Sequence, residues 1–275
     1  MTTTVKQYWN ERAASSNGRT TATTNDVYLR ELEVATFVET IREIHGERRA
    51  ALLDVGCGDG WTTLQIAATL PNLEVRGIDY SDEMISLASG RLHDCPAEVK
   101  RRVAFEVGDA TDLAAVCGNR RYDLVTTDRC LINLTSPEDQ YGAIESIADR
   151  LHDGGYFIAI ENFVEGQANL NRARSQLGLP EIPVRWHNLF FQEAEFRARC
   201  AAWFDSLTFK EFASSYYFAT RVIYSAMCHQ EGTEPDYRHA IHQLAPRLPG
   251  TGQFSPIRMV VLRRRGRNAS QEATQ

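Results

Sequence analysis

One stretch, Leu52-Leu53-Asp54-Val55-Gly56-Cys57-Gly58-Asp59-Gly60-Trp61, constrains the fold more than any other. An apolar run long enough for one strand breaks on three alternating glycines, and a helical segment, Trp61 to Leu70, begins at once. Glycine accepts positive φ and lets a ligand approach the backbone closely. Such a unit therefore presents a ligand site at the carboxyl end of a strand. The alternation continues downstream. Strands are expected at 73–79, 102–108, 122–128 and 156–162. Helices are expected at 82–93, capped by Ser81, and from Pro137 to about Leu151. There Ser136-Pro137-Glu138-Asp139 combines an N-cap, a first-turn proline and an acid three residues after the cap. Asp153-Gly154-Gly155 reads as that helix's stop. Strands separated by helices of this length imply an α/β fold with a parallel sheet covered on both faces.

The regular alternation ends at Asn162. Two further strands, 206–212 and 255–265, bring the expected sheet to seven, mostly parallel. Residues 163–205 and 215–252 are mixed polar and aromatic, and read as helical lid insertions over the ligand end of the sheet. Residues 1–25 are rich in Thr, Asn and Ser and read as loosely ordered; a helix follows to about His45. The expected organisation is an N-terminal helical cap segment at 1–49, a ligand-binding core at 50–162, and a C-terminal half of the sheet at 163–275 that carries the lid insertions.

Charge and cysteine usage narrow the partners. Thirty basic against thirty-six acidic residues give a net charge of −6, without the basic face of a nucleic-acid binder. Six scattered cysteines form no C-x-x-C pair and fit the reducing cytosol. No apolar run approaches the roughly 20 residues that span a bilayer. The polar N-terminus has no signal-peptide core. A cytoplasmic protein is expected, with no nucleic-acid or membrane partner; its oligomeric state is not legible. The basic run Arg263-Arg264-Arg265-Gly266-Arg267 reads as the solvated end of the last strand.

The glycine loop admits three readings. A dinucleotide fingerprint, which would imply a dehydrogenase, needs a small residue where Trp61 stands. A phosphate loop needs a lysine that is absent. The third pattern is D-x-G-x-G-x-G, from Asp54 through Gly56, Gly58 and Gly60, with Asp79 ending the second expected strand and Asp109 following the third. In this the chain resembles the class I S-adenosylmethionine-dependent methyltransferases. The resemblance implies their Rossmann-like fold and S-adenosyl-L-methionine as cofactor. It further implies that Asp79 binds the ribose hydroxyls and Tyr80 lies against the adenine. Asp109 would accept from the adenine amino group, and the Ala110 N–H would donate to a ring nitrogen. Asp128 and Arg129 would face the methionine end, or form a loop salt bridge. Tyr8 and Arg30 belong to a segment that folds over the cofactor in relatives; Arg30 would pair with its carboxylate, or lie on a helix surface. Cys57 reads as a buried, inert thiol, since no base is written beside it.

The acceptor is less legible. After the fourth strand comes Asp128-Arg129-Cys130-Leu131 rather than the N/D-P-P-Y/F of relatives that methylate bases and amides, which counts against those acceptors. The segment resembles that of methyltransferases of bacterial small-molecule and glycan pathways, which implies a small metabolite of natural-product or sugar type. RNA or protein is the alternative acceptor, and a non-catalytic relative is opposed by the intact acids. Arg185-Trp186-His187-Asn188 is the candidate acceptor site, with His187 as base, or else a packed aromatic turn. Tyr216 and Tyr217 line the same pocket or the core. His239 and His242 lack a third ligand, so no metal is assigned, and His152 reads as structural.

Overall fold

The computed structural model describes residues 4–15 and 22–266. Two helices, α1 (Val5–Ser15) and α2 (Val27–His45), precede β1 (Ala50–Val55), α3 (Trp61–Thr69), β2 (Leu73–Asp79), α4 (Asp82–His93), α5 (Ala97–Lys100) and β3 (Val103–Val107). Then follow α6 (Leu113–Cys117), β4 (Tyr122–Asp128), α7 (Pro137–Arg150), β5 (Leu151–Asn162), α8 (Val164–Gln176), α9 (Glu193–Cys200) and β6 (Phe204–Lys210). The chain finishes with α10 (Ser214–Tyr217), a wide turn at Phe218–Ile223 that continues into α11 (Tyr224–Glu231), α12 (Ala240–Leu244) and β7 (Ile257–Arg264). The sheet runs β3-β2-β1-β4-β5-β7-β6. Strands β1 to β5 pair in parallel, and β7 is antiparallel to both β5 and β6.

Period-two alternation feeds two cores, one on each face of the sheet. Leu52, Leu124, Ile158 and Ile160 pack under α2, α3 and α8. Leu53, Val125, Phe157 and Ala159 pack under α7 and α9. Fully burying each of the Leu, Ile, Val and Phe side chains contributes roughly 1.5–3 kcal/mol. That double burial explains why these strands read as continuous apolar runs.

Several boundaries differ from expectation. The segment expected to be loose contains α1, anchored by Asn10, which pairs with the Ser81 hydroxyl at 2.6 Å. Residues 1–3, 16–21 and 267–275, including Arg267 of the basic run, lie outside the described residues. The helix α7 ends at Arg150, and Asp153-Gly154-Gly155 forms an irregularity inside β5, where pairing with β4 shifts register. Apolar patterning alone does not reveal a strand that begins before its own glycines.

Candidate active site

Gly56 and Gly60 adopt φ of +74° and +72°. A Cβ on Gly56 would fall 2.3 Å from the Cys130 Sγ, so the glycine lets the β1 and β4 loops interlock. Asp54, at the end of β1, is buried and accepts from the Thr63 and Thr126 hydroxyls. Burial pushes its carboxyl up to about 6 despite those bonds. Asp79 ends β2 with one oxygen taken by the Gly58 N–H at 3.0 Å and the other by the Ser81 N–H at 2.9 Å. It too is raised by burial, to about 6. Each carboxylate oxygen accepts two bonds, so Asp79 keeps capacity for a diol. Tyr80 lines the cavity with its hydroxyl buried and unpartnered. Asp109, exposed after β3, accepts from the Thr111 N–H and hydroxyl, and Ala110 beside it also lines the cavity.

One cavity of about 580 Å³ joins this cradle to the insertions. Arg30, Asp54, Gly56, Gly58, Asp79 and Tyr80 line it from one set of strand ends and α2. Asp128 and Arg129 line it from β4, and Arg185, His187 and Asn188 from the segment before α9. Tyr217, Arg221 and Tyr237 line it from the second insertion.

Three expected site residues fall outside the lining. Tyr8 stacks on the His187 ring at 4.3 Å rather than over the cradle; its neighbour Trp9 lines the cavity and donates to the Asn133 side chain at 3.2 Å. Trp186 is 58% exposed, edge-on to His187, so it does not shield the imidazole from water. Tyr216 is core: its hydroxyl donates to Asp26 and meets His242 Nδ1 at 2.8 Å. Both tyrosines sit in α10. Arg30 is buried, bonded to Asp59 and 4.6 Å above the Trp61 ring, so it is no surface arginine. His239 caps α12, and His152 is exposed in β5. Among the described residues no three His, Cys, Asp or Glu gather as a metal site.

Sequence reasoning missed two buried carboxylates. Glu33 pairs with Arg129 at 2.9 Å, while Arg129 also contacts Asp128 at 3.3 Å. Burial pushes Glu33 up to about 8, with Arg129 pulling the other way. Arg129 sits at φ +51°, the only described non-glycine residue with positive φ. Glu161, on β5, accepts from the N–H groups of Cys130, Leu131 and Ile132 at 3.1–3.3 Å and fixes the turn after β4. An acid inside an expected helix or strand was the available signal, and it carried no motif.

His187 is 2% exposed and its Nδ1 has no partner. Burial, and then the nearby Arg185, lower its pKa, so the ring is neutral at pH 7. A neutral imidazole holds one acceptor nitrogen.

A doubly wound sheet with a glycine loop after β1 and acids after β2 and β3 defines a Rossmann-like domain for an adenosine-bearing cofactor. Residues 52–155 match the family model described as a methyltransferase domain. These residues therefore form a methyltransferase domain, and in it the chain is similar to the class I S-adenosylmethionine-dependent methyltransferases. It is similar to the ubiquinone biosynthesis O-methyltransferase of Hydrogenovibrio crunogenus, 28% identical over 164 residues, covering 58% of this chain and 64% of that protein. It is similar to the ajmaline N-methyltransferase of Rauvolfia serpentina, 34% identical over 87 residues, covering 32% of this chain and 28% of that one. Thus the chain spans less than two thirds of the length of these curated relatives. In fold it is similar to the magnesium protoporphyrin IX methyltransferase of Synechocystis with bound SAH, with a TM-score of 0.60 and 15% identity over 94% of this chain and 98% of that one.

Proposed function

We propose that the protein transfers a methyl group from S-adenosylmethionine to an oxygen or nitrogen of a small metabolite. The single cavity shared by the Asp54–Asp109 cradle and the two insertions carries this reading, because it lets cofactor and acceptor meet away from bulk water. The residues fit the cofactor: Asp79 retains acceptor capacity, Tyr80 has an unpaired hydroxyl, and the glycines leave room at the backbone. When bound, S-adenosylmethionine supplies a methyl group already activated on a sulfonium.

The chain's own contribution is orientation and proton handling. Holding nucleophile and methyl in line can contribute roughly 7–11 kcal/mol. His187, neutral and lining the cavity, accepts the proton of an acceptor O–H or N–H as the methyl is transferred, and later returns it to water. Tyr8, stacked on the ring, holds its plane. Asn188 and Arg185 contact the acceptor. No described helix is long and apolar enough to cross a membrane, and six unpaired thiols support a cytoplasmic setting.

Calorimetry with S-adenosylmethionine, its demethylated product and NADH tests the cofactor, with binding expected for the first two alone. Screening a metabolite panel for formation of S-adenosylhomocysteine then identifies the acceptor. Response to NADH alone would overturn the reading.

A further inference from the structure

The second insertion brings an arginine to the cavity under unusual constraint. Arg221 lies in the wide turn Phe218–Ile223, where the helix is locally unwound between α10 and α11. Wide turns of this kind recur at functional sites. Its guanidinium stands 4.9 Å from the Tyr237 ring and 5.7 Å from the Tyr217 ring. All three residues line the cavity.

Asp26, the N-cap of α2, bonds one guanidinium nitrogen, Nη2. The other oxygen of Asp26 is committed to the Leu29 N–H and the Tyr216 hydroxyl. Asp26 is thus a locked support that aims the guanidinium. Arginine carries five N–H donors, so Nε and Nη1 keep donors that no described residue takes.

The local charge is also unbalanced. Arg174, 7% exposed, donates to the carbonyl oxygens of Pro180 and Arg221, and no acid among the described residues pairs with it. His242, against Tyr216, is kept neutral by burial. The half-buried Arg221 thus meets one carboxylate that is already shared, while the buried Arg174 beside it meets none, and a buried charge without a counter-ion is costly.

We propose that Arg221, walled by Tyr217 and Tyr237, anchors the carboxylate of an aromatic acceptor, so that the substrates of this site are aromatic acids. The proposal rests on the methyl-transfer reading for what happens to the acceptor, though not for the binding itself. A carboxylate supplies the missing negative charge and matches the planar donor fork. Its ring meets the tyrosine faces by offset or edge contacts.

Benzoate and its uncharged counterpart benzamide are the probes, each titrated by ligand-observed NMR into the full chain saturated with S-adenosylhomocysteine. Benzoate should bind about tenfold or more tightly than benzamide, the scale of one charge-assisted hydrogen bond. Arg221→Met should erase that preference while the affinity for S-adenosylhomocysteine stays within about twofold. Tyr237→Leu leaves the Asp26–Arg221 pair intact and should weaken benzoate several-fold; it decides the matter if the methionine variant does not fold. Equal binding of the two probes, no benzoate binding, or benzoate affinity that survives either folded variant overturns the proposal. If the wild type does not bind S-adenosylhomocysteine, the methyl-transfer reading fails instead, and the same titrations without it still judge the anion site.

Discussion

The two halves of the cavity are built in opposite ways. The cofactor half comes from consecutive strand ends, Asp54 to Gly60, Asp79 to Ser81 and Asp109 to Thr111, fixed by backbone N–H groups that donate to their carboxylates, such as Gly58 N–H to the Asp79 side chain. Its acceptor half is assembled from segments far apart in sequence, linked by pairs such as Asp26 with Arg221, Tyr8 with His187 and Trp9 with Asn133. One half is a property of the sheet. The other exists only after the caps and insertions have docked.

If that division is right, the largest loss of turnover should come from the acceptor half with the cofactor half untouched. His187→Ala should cut turnover by roughly 10²–10⁴-fold with unchanged cofactor affinity, measured by steady-state kinetics and calorimetry. His187→Gln keeps a hydrogen-bonding group without a titratable base. Near-normal turnover in that variant would reduce His187 to an orienting role.

The converse case is Asp79→Ala. Ribose contacts are equal in ground and transition states, so cofactor Kd should rise roughly 10–100-fold while saturated turnover stays nearly intact. Lost turnover at normal affinity would break the division.

Protonation separates the halves further. Asp79 must be ionised to accept from a diol, so cofactor affinity should fall as pH drops through about 6. Stability should move the other way. Glu161 and Glu33 are raised by burial to about 7 and about 8, so their contribution is full below the ordinary carboxylate range and lost as pH rises through those values. The Tm of the cofactor-free protein should therefore rise by roughly a few degrees from pH 8.5 to 6.5. At the acid end of that interval His187 and His242, both lowered in the folded protein, begin to oppose the trend as their unfolded imidazoles take up protons. A flat or inverted Tm profile would show that Glu33 and Glu161 stay ionised in the folded protein.

The smallest expected effect is at Glu161, which acts on the acceptor side only through the turn after β4. Glu161→Gln loses one of two acceptor oxygens and should lower kcat a few-fold, with hydrogen exchange at Leu131 and Ile132 accelerated.

How much the sequence disclosed follows the same line. The glycine loop and the acids at 79 and 109 are adjacent to strand ends, so local pattern predicts their positions. Period-two alternation likewise foretells which side of the sheet Leu52 and Leu53 serve. Tyr8, Trp186 and Tyr216 are not settled by pattern, because nothing local tells a lining aromatic from one packed behind the wall or standing out in solvent. Glu33 and Glu161 look like ordinary polar positions until Arg129 and the turn at 130–132 arrive against them. Arg221 depends on a helix geometry, the wide turn at 218–223, that has no period of its own.

The strand order has a consequence for how the chain assembles. In the sheet β6 is bonded only to β7, and β7 inserts between β5 and β6. During synthesis, residues 204–210 have no sheet partner until residues 257–264 emerge some fifty residues later, a loop whose closure adds only slowly to the entropic cost. The wall that carries Arg221 and Tyr237 is strung between those two strands. Release of β7 would unfasten it at one end and bare the β5 edge, so the acceptor wall should be the last part of the protein to set and the first to come apart.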